Sequence, residues 1–262
     1  MAEATKTSSK KPAAKSVAKV DPILKQLLEA GAHFGHRTAR WNPKMAPYIF
    51  GERGGVHIID LTQTATQLAT AEKFAYEVTK AGGQILFVGT KRQAKMIIEK
   101  YAHESGMPFV THRWLGGMLT NLDTIKNRIQ RLKKLEAQKA ENDFAGIIKK
   151  EKLLLEKQMI KLFKTFDGVR DMHGVPAALF VVDMPKEDIA LLEARKLGLP
   201  VIAMADTNAD PDMAEYLITS NDDAIKAIDL ITGKIAAQAT KGSTEYKAKA
   251  AVEQQEEINE QL

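Results

Sequence analysis

The sequence predicts an open α/β fold, in which a parallel sheet of about five strands carries an inserted helical hairpin. Short, continuous apolar runs recur along the chain, and most are followed by residues with helical spacing. Such runs are typical of strands that are buried on both faces, as in parallel sheets with crossover helices. A highly charged helical stretch at residues 122–164 is too long for an ordinary crossover, so it is predicted to be an insertion.

The N-terminal part is assigned to a basic arm and a short helix. Residues 1–20 contain five lysines, one glutamate and no aromatic residue, so they cannot form a core and are predicted to be disordered. Apolar residues with helical spacing begin at Ile23, and Gly31 is placed to end that helix through a left-handed cap. The folded domain is therefore expected to begin near residue 21.

The predicted strands are bounded by turn residues and alternate with helices. Strand–helix–strand units of this kind build parallel sheets. The clear runs are residues 56–59, 85–88, 178–182 and 201–204, and residues 109–110 and 218–219 are candidates for further short strands.

The insertion, at about residues 120–168, is predicted to be an antiparallel coiled-coil hairpin. Apolar residues recur at intervals of three and four between residues 122 and 132, and again between residues 155 and 169. Asn142, Asp143 and Gly146 lie between the two rows and favour a turn.

The C-terminal segment, residues 241–262, is polar and rich in Glu and Gln. It has few large apolar residues, so it is predicted to be a disordered tail. The domain is accordingly expected to span residues 21–240.

The composition indicates a folded protein without cysteine. The 262 residues are 44% hydrophobic and 27% charged, close to the averages for soluble globular proteins. Without cysteine there is no disulfide, thiolate metal site or thiol nucleophile, which fits a reducing cytoplasm. The first residues lack the apolar stretch of a secretory signal, and eighteen consecutive apolar residues occur nowhere, so neither export nor membrane insertion is expected.

Charge is distributed unevenly along the chain. Residues 122–164 hold twelve Lys and Arg against six acids, whereas residues 205–225 hold six acids and no basic residue. A basic stripe attracts phosphates, while an acidic region should face solvent or a basic protein. The hairpin, with Lys126 and Arg128, is therefore a candidate RNA-binding surface, although a coiled coil with ordinary charged outer positions would have the same charges.

Residues 33–53 interleave cations with aromatic rings. His36, Arg37, Arg40 and Lys44 lie among aromatic side chains that include Trp41. Cations bind phosphates and flat rings stack on unpaired bases, so this composition favours contact with RNA. The alternative is that the aromatic residues pack into the core and two prolines merely shape a loop.

Two further segments place cations after predicted strands. Lys91, Arg92 and Lys95 begin a helix, where backbone N–H groups attract anions. Arg113 and Trp114 lie before two glycines that permit close backbone approach. The sequence leaves open which of the two tryptophans packs in the core and which faces RNA.

An enzyme is the rival interpretation. Asp60, Asp183 and Asp206 each end a predicted strand, where α/β enzymes place their active sites, and together they could hold Mg²⁺ for phosphoryl transfer. Aspartates after strands more often cap helices, and neither a Gly-x-Gly-x-x-Gly nor a Walker-type loop follows any strand. Histidines at 33 and 36 lack cysteine partners. No catalytic residue, metal site or cofactor is therefore predicted.

Several long motifs resemble those of one family, the second protein of the bacterial small ribosomal subunit. Its opening signature is similar to LLEAGAHFGH at residues 27–36 and WNPKM at residues 41–45. Its later blocks are similar, in the same order, to residues 58–61, 87–91, 113–121 and 176–183. The likeness extends from about residue 23 to residue 237.

The resemblance implies a Rossmann-like or flavodoxin-like body with a protruding coiled-coil hairpin, and a structural role without catalysis. It implies a place on the small subunit of the cytoplasmic ribosome near the head–body junction. The implied partners are small-subunit ribosomal RNA and other small-subunit proteins, including the S-one protein that it helps to dock; neither a membrane nor a homo-oligomer is expected. The candidate RNA-binding residues are His36, Arg37, Arg40, Trp41, Asn42, Lys44, Lys91, Arg92, Lys95, Arg113, Trp114, Asn121, Lys126 and Arg128.

Overall fold

The computed structural model describes residues 21–172 and 174–260, and the predicted basic arm at residues 1–20 lies outside them. Helices and strands alternate along most of this part of the chain. In order they are α1 (Pro22–Glu29), β1 (Phe34–Arg37), β2 (Ile49–Arg53), β3 (Val56–Ile59), α2 (Leu61–Lys80), β4 (Ile85–Val88), α3 (Lys95–Ser105), β5 (Phe109–Val110), α4 (Leu122–Asn142), α5 (Lys149–Phe166), β6 (Ala178–Val182), α6 (Asp188–Leu197), β7 (Val201–Ala205), β8 (Tyr216–Thr219) and α7 (Ile225–Glu260).

A five-stranded parallel sheet forms the centre of the fold, with the strand order β5-β4-β6-β7-β8. Both of the short candidate strands belong to it. Every residue of β4, β5, β6 and β7 is buried, as expected for strands covered on both faces. The predicted α/β fold with a parallel sheet of about five strands is therefore confirmed.

One predicted strand was placed in the wrong sheet. β3 is the middle strand of a separate antiparallel ribbon with the order β1-β3-β2. Gly54 and Gly55 join β2 to β3, with φ angles of 63° and 76°, as the mirror-image turns of tight hairpins require. Burial alternates along β3, so only one of its faces is covered. This ribbon packs at one end of the central sheet.

Two hydrophobic layers hold the helices against the sheet. Phe87 and Phe180, with ring centroids 5.2 Å apart, point into a layer shared with α1, α2, α3 and α7. Their neighbours Leu86 and Leu179 point into the opposite layer, which contains α6 and the first turns of α4. Successive strand residues alternate between the two faces, so a continuous apolar run supplies both layers.

The insertion consists of the two long helices α4 and α5, joined by a tight turn. Asp143 ends α4 in the left-handed conformation, and Gly146 follows with a φ of 82°, so the predicted turn lies where these residues indicated. Lys139 Nζ lies 3.6 Å from Glu156 Oε1, which links the two helices near their tip. Coiled-coil supercoiling of this hairpin stays a prediction. The apolar row of α4 is buried at Ile125, Ile129, Leu132 and Leu135.

The C-terminal segment differs from the expectation of a disordered tail after residue 240. It continues α7, and Gly242 lies so close to α2 that an added Cβ would stand 2.2 Å from Thr79 Oγ1. The hydroxyl of Tyr76 donates to Glu245 Oε2 at 2.6 Å. The polar composition misled the prediction, because this segment extends a helix whose earlier turns are already packed in the hydrophobic core. No helix in the described ranges combines the length and apolarity needed to cross a bilayer.

Candidate nucleic-acid interface

The candidate residues gather at the carboxyl edge of the central sheet, where parallel strands all end on the same side. The ribbon lies across the ends of β7 and β8 and is tied there by backbone hydrogen bonds. The N–H of Asn42 donates to the carbonyl of Thr207 at 2.8 Å, and the N–H of Asn221 donates to the carbonyl of Ala32 at 3.0 Å. Segments far apart in sequence thus form one surface.

The first strand of the ribbon is fixed to the loop after β7. An added Cβ on Gly35 would lie 2.6 Å from Thr207 Cγ2, so only glycine fits without displacement. The N–H of His36 donates to Asp206 Oδ1 at 3.1 Å and to Thr207 Oγ1 at 2.9 Å, and its Nδ1 lies 3.0 Å from Asp206 Oδ2. The hydrogen bond to Asp206 raises the pKa of His36 despite partial burial. His36 therefore ties β1 to the loop after β7.

Other cations of the ribbon face outward. Arg37 and Arg40 are exposed, and within the described ranges neither has an ion-pair partner. Trp41 is 37% exposed and packs against His57, with ring centroids 4.9 Å apart. One face of this tryptophan is thus in contact with the protein while part of its ring remains open.

Asn42 and Lys44 are used within the loop. Asn42 Oδ1 accepts a hydrogen bond from the N–H of Lys44 at 3.0 Å and so caps the short 3-10 turn Pro43–Tyr48. The ammonium of Lys44 lies 2.6 Å from Asp212 and 2.9 Å from Asp210, and these carboxylates raise its pKa. Because the charge of Lys44 is already compensated, its assignment as a phosphate ligand loses support.

Lys91 is the centre of an ion cluster, which argues against its assignment as a phosphate ligand. Its Nζ lies 2.6 Å from Asp222, 2.7 Å from Asp223 and 3.3 Å from Asp183, and its side chain is 12% exposed. Burial opposes the charged form, but the three carboxylates outweigh burial and raise the pKa of Lys91. Desolvation, with Asp206 and Asp183 nearby, raises the pKa of Asp222 to about 7.

Trp114 packs in the core, so the structure settles which tryptophan is buried. It is 6% exposed, and its Nε1 donates to Glu193 Oε1 at 3.1 Å. The same carboxylate accepts hydrogen bonds from the backbone N–H groups of Gly117, Leu119 and Thr120 at 2.7, 3.0 and 3.1 Å. Burial would raise the pKa of Glu193, but these donors outweigh it and lower that pKa. The loop after β5 is thus folded around one buried carboxylate.

Lys95 and Arg113, which the sequence placed in separate clusters, line one open cleft of about 380 Å³. His112 and Lys186 line the same cleft. None of these four side chains has an ion-pair partner among the described residues. Sequence reasoning missed Lys186, because only the fold brings the loop after β6 beside the loop after β5. Glu187 and Asp188 also line the cleft, so it holds the three cations Lys95, Arg113 and Lys186 against two carboxylates.

The other predicted cations also lie on the surface. Arg92 is close in sequence to Lys95 of the cleft, and it is exposed. Lys126 and Arg128, on the first turns of α4, are also exposed. Asn121, which precedes α4, is exposed as well. The predicted residues that remain available to a polyanion are therefore Arg37, Arg40, Arg92, Lys95, Arg113, Asn121, Lys126 and Arg128, together with the open part of Trp41.

The strand-end aspartates do not share one role. Asp60 caps α2, where its Oδ1 accepts from the N–H of Thr62 at 2.9 Å, as the helix-cap alternative predicted. Asp183 and Asp206 both lie near Asp222 at the sheet edge, but Lys91 is paired with Asp183. The carboxylates around Asp183 therefore form an ion cluster whose cation is Lys91.

A histidine and two carboxylates lie close together beside this cluster. His36, Asp206 and Asp222 each offer a ligand atom, and these atoms lie within 4.8 Å of one another. Imidazole and carboxylate ligands in this number suit a divalent transition metal. The sequence predicted no metal site, because the three residues come from β1 and from the loops after β7 and β8.

Most of the chain is similar to known ribosomal proteins. Residues 27–242 match the family described as ribosomal protein S2. The small ribosomal subunit protein uS2 of Bdellovibrio bacteriovorus is 47% identical over 226 residues, which cover 86% of this chain and 72% of that protein. The protein of the same name from Nocardia farcinica is 53% identical over 219 residues, which cover 84% of this chain and 77% of that protein.

Proposed function

This chain belongs to the ribosomal protein S2 family of the small ribosomal subunit, and we propose that within the subunit it binds ribosomal RNA near the head–body junction and helps to dock the S-one protein. Proteins of this family are structural constituents of the cytoplasmic ribosome rather than enzymes. The proposal therefore concerns which parts of the surface meet RNA and which meet protein.

The cationic cleft is the observation that carries the RNA-binding proposal. Lys95, Arg113, His112 and Lys186 line it beside Glu187 and Asp188, and among the described residues no carboxylate forms an ion pair with any of these four side chains. Uncompensated cations release counterions from RNA when they contact phosphates, and this release dominates nucleic-acid affinity. The cleft and the exposed cations at the start of α4 follow one another along the chain, so we assign both to one RNA-facing side.

The carboxyl edge of the central sheet has an acidic end, around Asp212 and Asp223, and this end suits a protein partner better than RNA. Asp212 and Asp223 have side chains that are 69% and 55% exposed, and Lys44 and Lys91 are compensated there. Phosphates would be repelled by these carboxylates, whereas a basic protein segment would be attracted; the exposed Arg37 and Arg40 of the ribbon stay assigned to RNA. The ribbon adds the ring of Phe50, which is 81% exposed on the edge strand β2. We assign the docking of the S-one protein to this acidic end.

Cosedimentation of a tagged protein with small subunits through a sucrose gradient tests the RNA assignment. The double variant Arg113→Ala with Lys186→Ala should lose affinity for the subunit, and its deficit relative to wild type should be largest at low salt and shrink as salt is raised, because the variant makes fewer phosphate contacts. Lys73→Ala removes an exposed lysine from α2, away from the cleft, and is the matched control. Equal cosedimentation of all three proteins at every salt concentration would refute the role of the cleft.

A second pair of variants tests the docking of the S-one protein separately. Phe50→Ala and Asp212→Asn should leave the protein on the small subunit but reduce the amount of S-one protein that sediments with it. An unchanged amount of S-one protein would contradict the assignment of the acidic end, without affecting the RNA-binding result.

A further inference from the structure

The outward side of α5 is apolar as well as cationic. Leu153, Ile160 and Phe163 are 51%, 52% and 42% exposed. They are spaced seven and three residues apart, so they lie along one side of the helix over roughly 15 Å. The seam against α4 uses another set of residues, all half-buried: Leu155, Met159 and Leu162.

The other helix of the hairpin, α4, has a different set of exposed side chains. In α4 no large apolar side chain is exposed, and apart from Ala137 and Ala140 its exposed positions are occupied by polar or charged residues. The two arms of the hairpin, which the sequence describes as equally basic, therefore have chemically different outer sides. A helix that only balanced RNA phosphates would need no large apolar side chain on its outer side, and α4 has none there.

Lysines flank the apolar row. Lys157 and Lys164 lie next to it on the helical surface, and in the described ranges neither has an ion-pair partner. Lys139 and Lys152, in contrast, are paired within the hairpin with Glu156 and with Asp143. The face thus combines an apolar centre with cations whose charge is uncompensated.

We propose that this face of α5 docks an acidic, apolar surface of a neighbouring protein in the small subunit. The inference rests on the proposed function only in placing the chain within the assembled subunit. RNA phosphates would satisfy the lysines but leave three half-exposed apolar side chains without a partner, whereas carboxylates around an apolar strip match both features. A small hollow beside Phe163, of about 80 Å³, has Phe109 and Val110 in its lining and leaves room for one small side chain.

Site-specific photocrosslinking in assembled subunits tests the inference. Ile160→benzoylphenylalanine on α5 and Lys126→benzoylphenylalanine on α4 are placed at exposed positions on the two arms. The α5 probe should give a product that protease degrades and ribonuclease does not, and the α4 probe should give the opposite. An RNA product from α5 would overturn the docking inference and leave the RNA-binding proposal standing. A protein product or no product from α4 would count against the RNA-binding proposal alone, and no product from α5 would refute the docking inference.

Polar substitution gives an independent measure. Leu153→Gln with Ile160→Gln keeps good helix formers and removes two of the three side chains of the apolar row, so affinity for the small subunit should fall at least about tenfold while the unfolding midpoint stays the same. Lys157→Glu should weaken binding further, because the proposed partner is acidic. Unchanged affinity in the double variant, or tighter binding of Lys157→Glu, would contradict an acidic apolar partner.

Discussion

Replacing Glu193 by glutamine should destabilise the protein by about 2–6 kcal/mol. Each carboxylate oxygen accepts at least two hydrogen bonds, from Trp114 and Gly117 on one side and from Leu119 and Thr120 on the other. An amide points its NH₂ at one of these pairs, whichever way it is turned. At least two buried donors then lose their acceptor, at about 1–3 kcal/mol each.

Denaturant unfolding of wild type and variant measures this loss, and pH gives a second signature. The folded pKa of Glu193 lies below its ordinary value of 4.5. The unfolded state therefore binds more protons between the two values, so this carboxylate contributes stability above about pH 4.5 that is lost as pH falls through the folded pKa. The difference between wild type and Glu193→Gln should accordingly shrink in acid.

Glu104→Gln is the control, because Glu104 is exposed on α3 and has no ion pair within the described ranges. Its unfolding free energy should match that of wild type within about 0.5 kcal/mol. The reasoning fails if Glu193→Gln behaves like this control, or if its deficit is the same at every pH. Either result would mean that the loop after β5 is held by other contacts.

Three further predictions concern single positions. Lys91→Met leaves the surrounding carboxylates without their cation and should cost about 3–5 kcal/mol in unfolding free energy, and a stability equal to wild type would contradict the cluster. Gly35→Ala forces the ribbon away from Thr207 and should cost about 1–3 kcal/mol by thermal unfolding, whereas Gly51→Ala, in open space, should cost less than half as much. Arg113→Ala should lower the slope of log affinity for RNA against log salt by about one contact with an unchanged melting temperature, and an unaltered slope would exclude a phosphate contact.

The strands of the central sheet could be predicted because a strand that is buried on both faces consists of consecutive apolar residues. The run at residues 56–59 is similarly rich in β-branched apolar residues, yet β3 belongs to the antiparallel ribbon. The signal that separates the two cases was present in the consecutive glycines at 54 and 55, which are typical of a tight antiparallel hairpin. Pairing direction follows from such turns rather than from the strand itself.

The site was less predictable, because exposure depends on partners that are remote in sequence. Trp114 is buried by a carboxylate 79 positions away, and Lys91 is neutralised by an aspartate 131 positions away. The residues that neighbour Trp114 and Lys91 in the sequence do not indicate these contacts. Arg113 and Lys126, in contrast, could be assigned correctly to the surface from local charge and helical spacing.

The length of α7 has a practical consequence for experiments on the assembled subunit. The helix begins beside the carboxyl edge of the sheet, after β8, and its 36 residues extend about 54 Å toward the opposite edge. A fluorophore or affinity handle at the exposed Val252 would therefore be carried far from both the cationic cleft and the acidic end. Such a label offers a way to follow incorporation in single-molecule measurements without obstructing the surfaces under test.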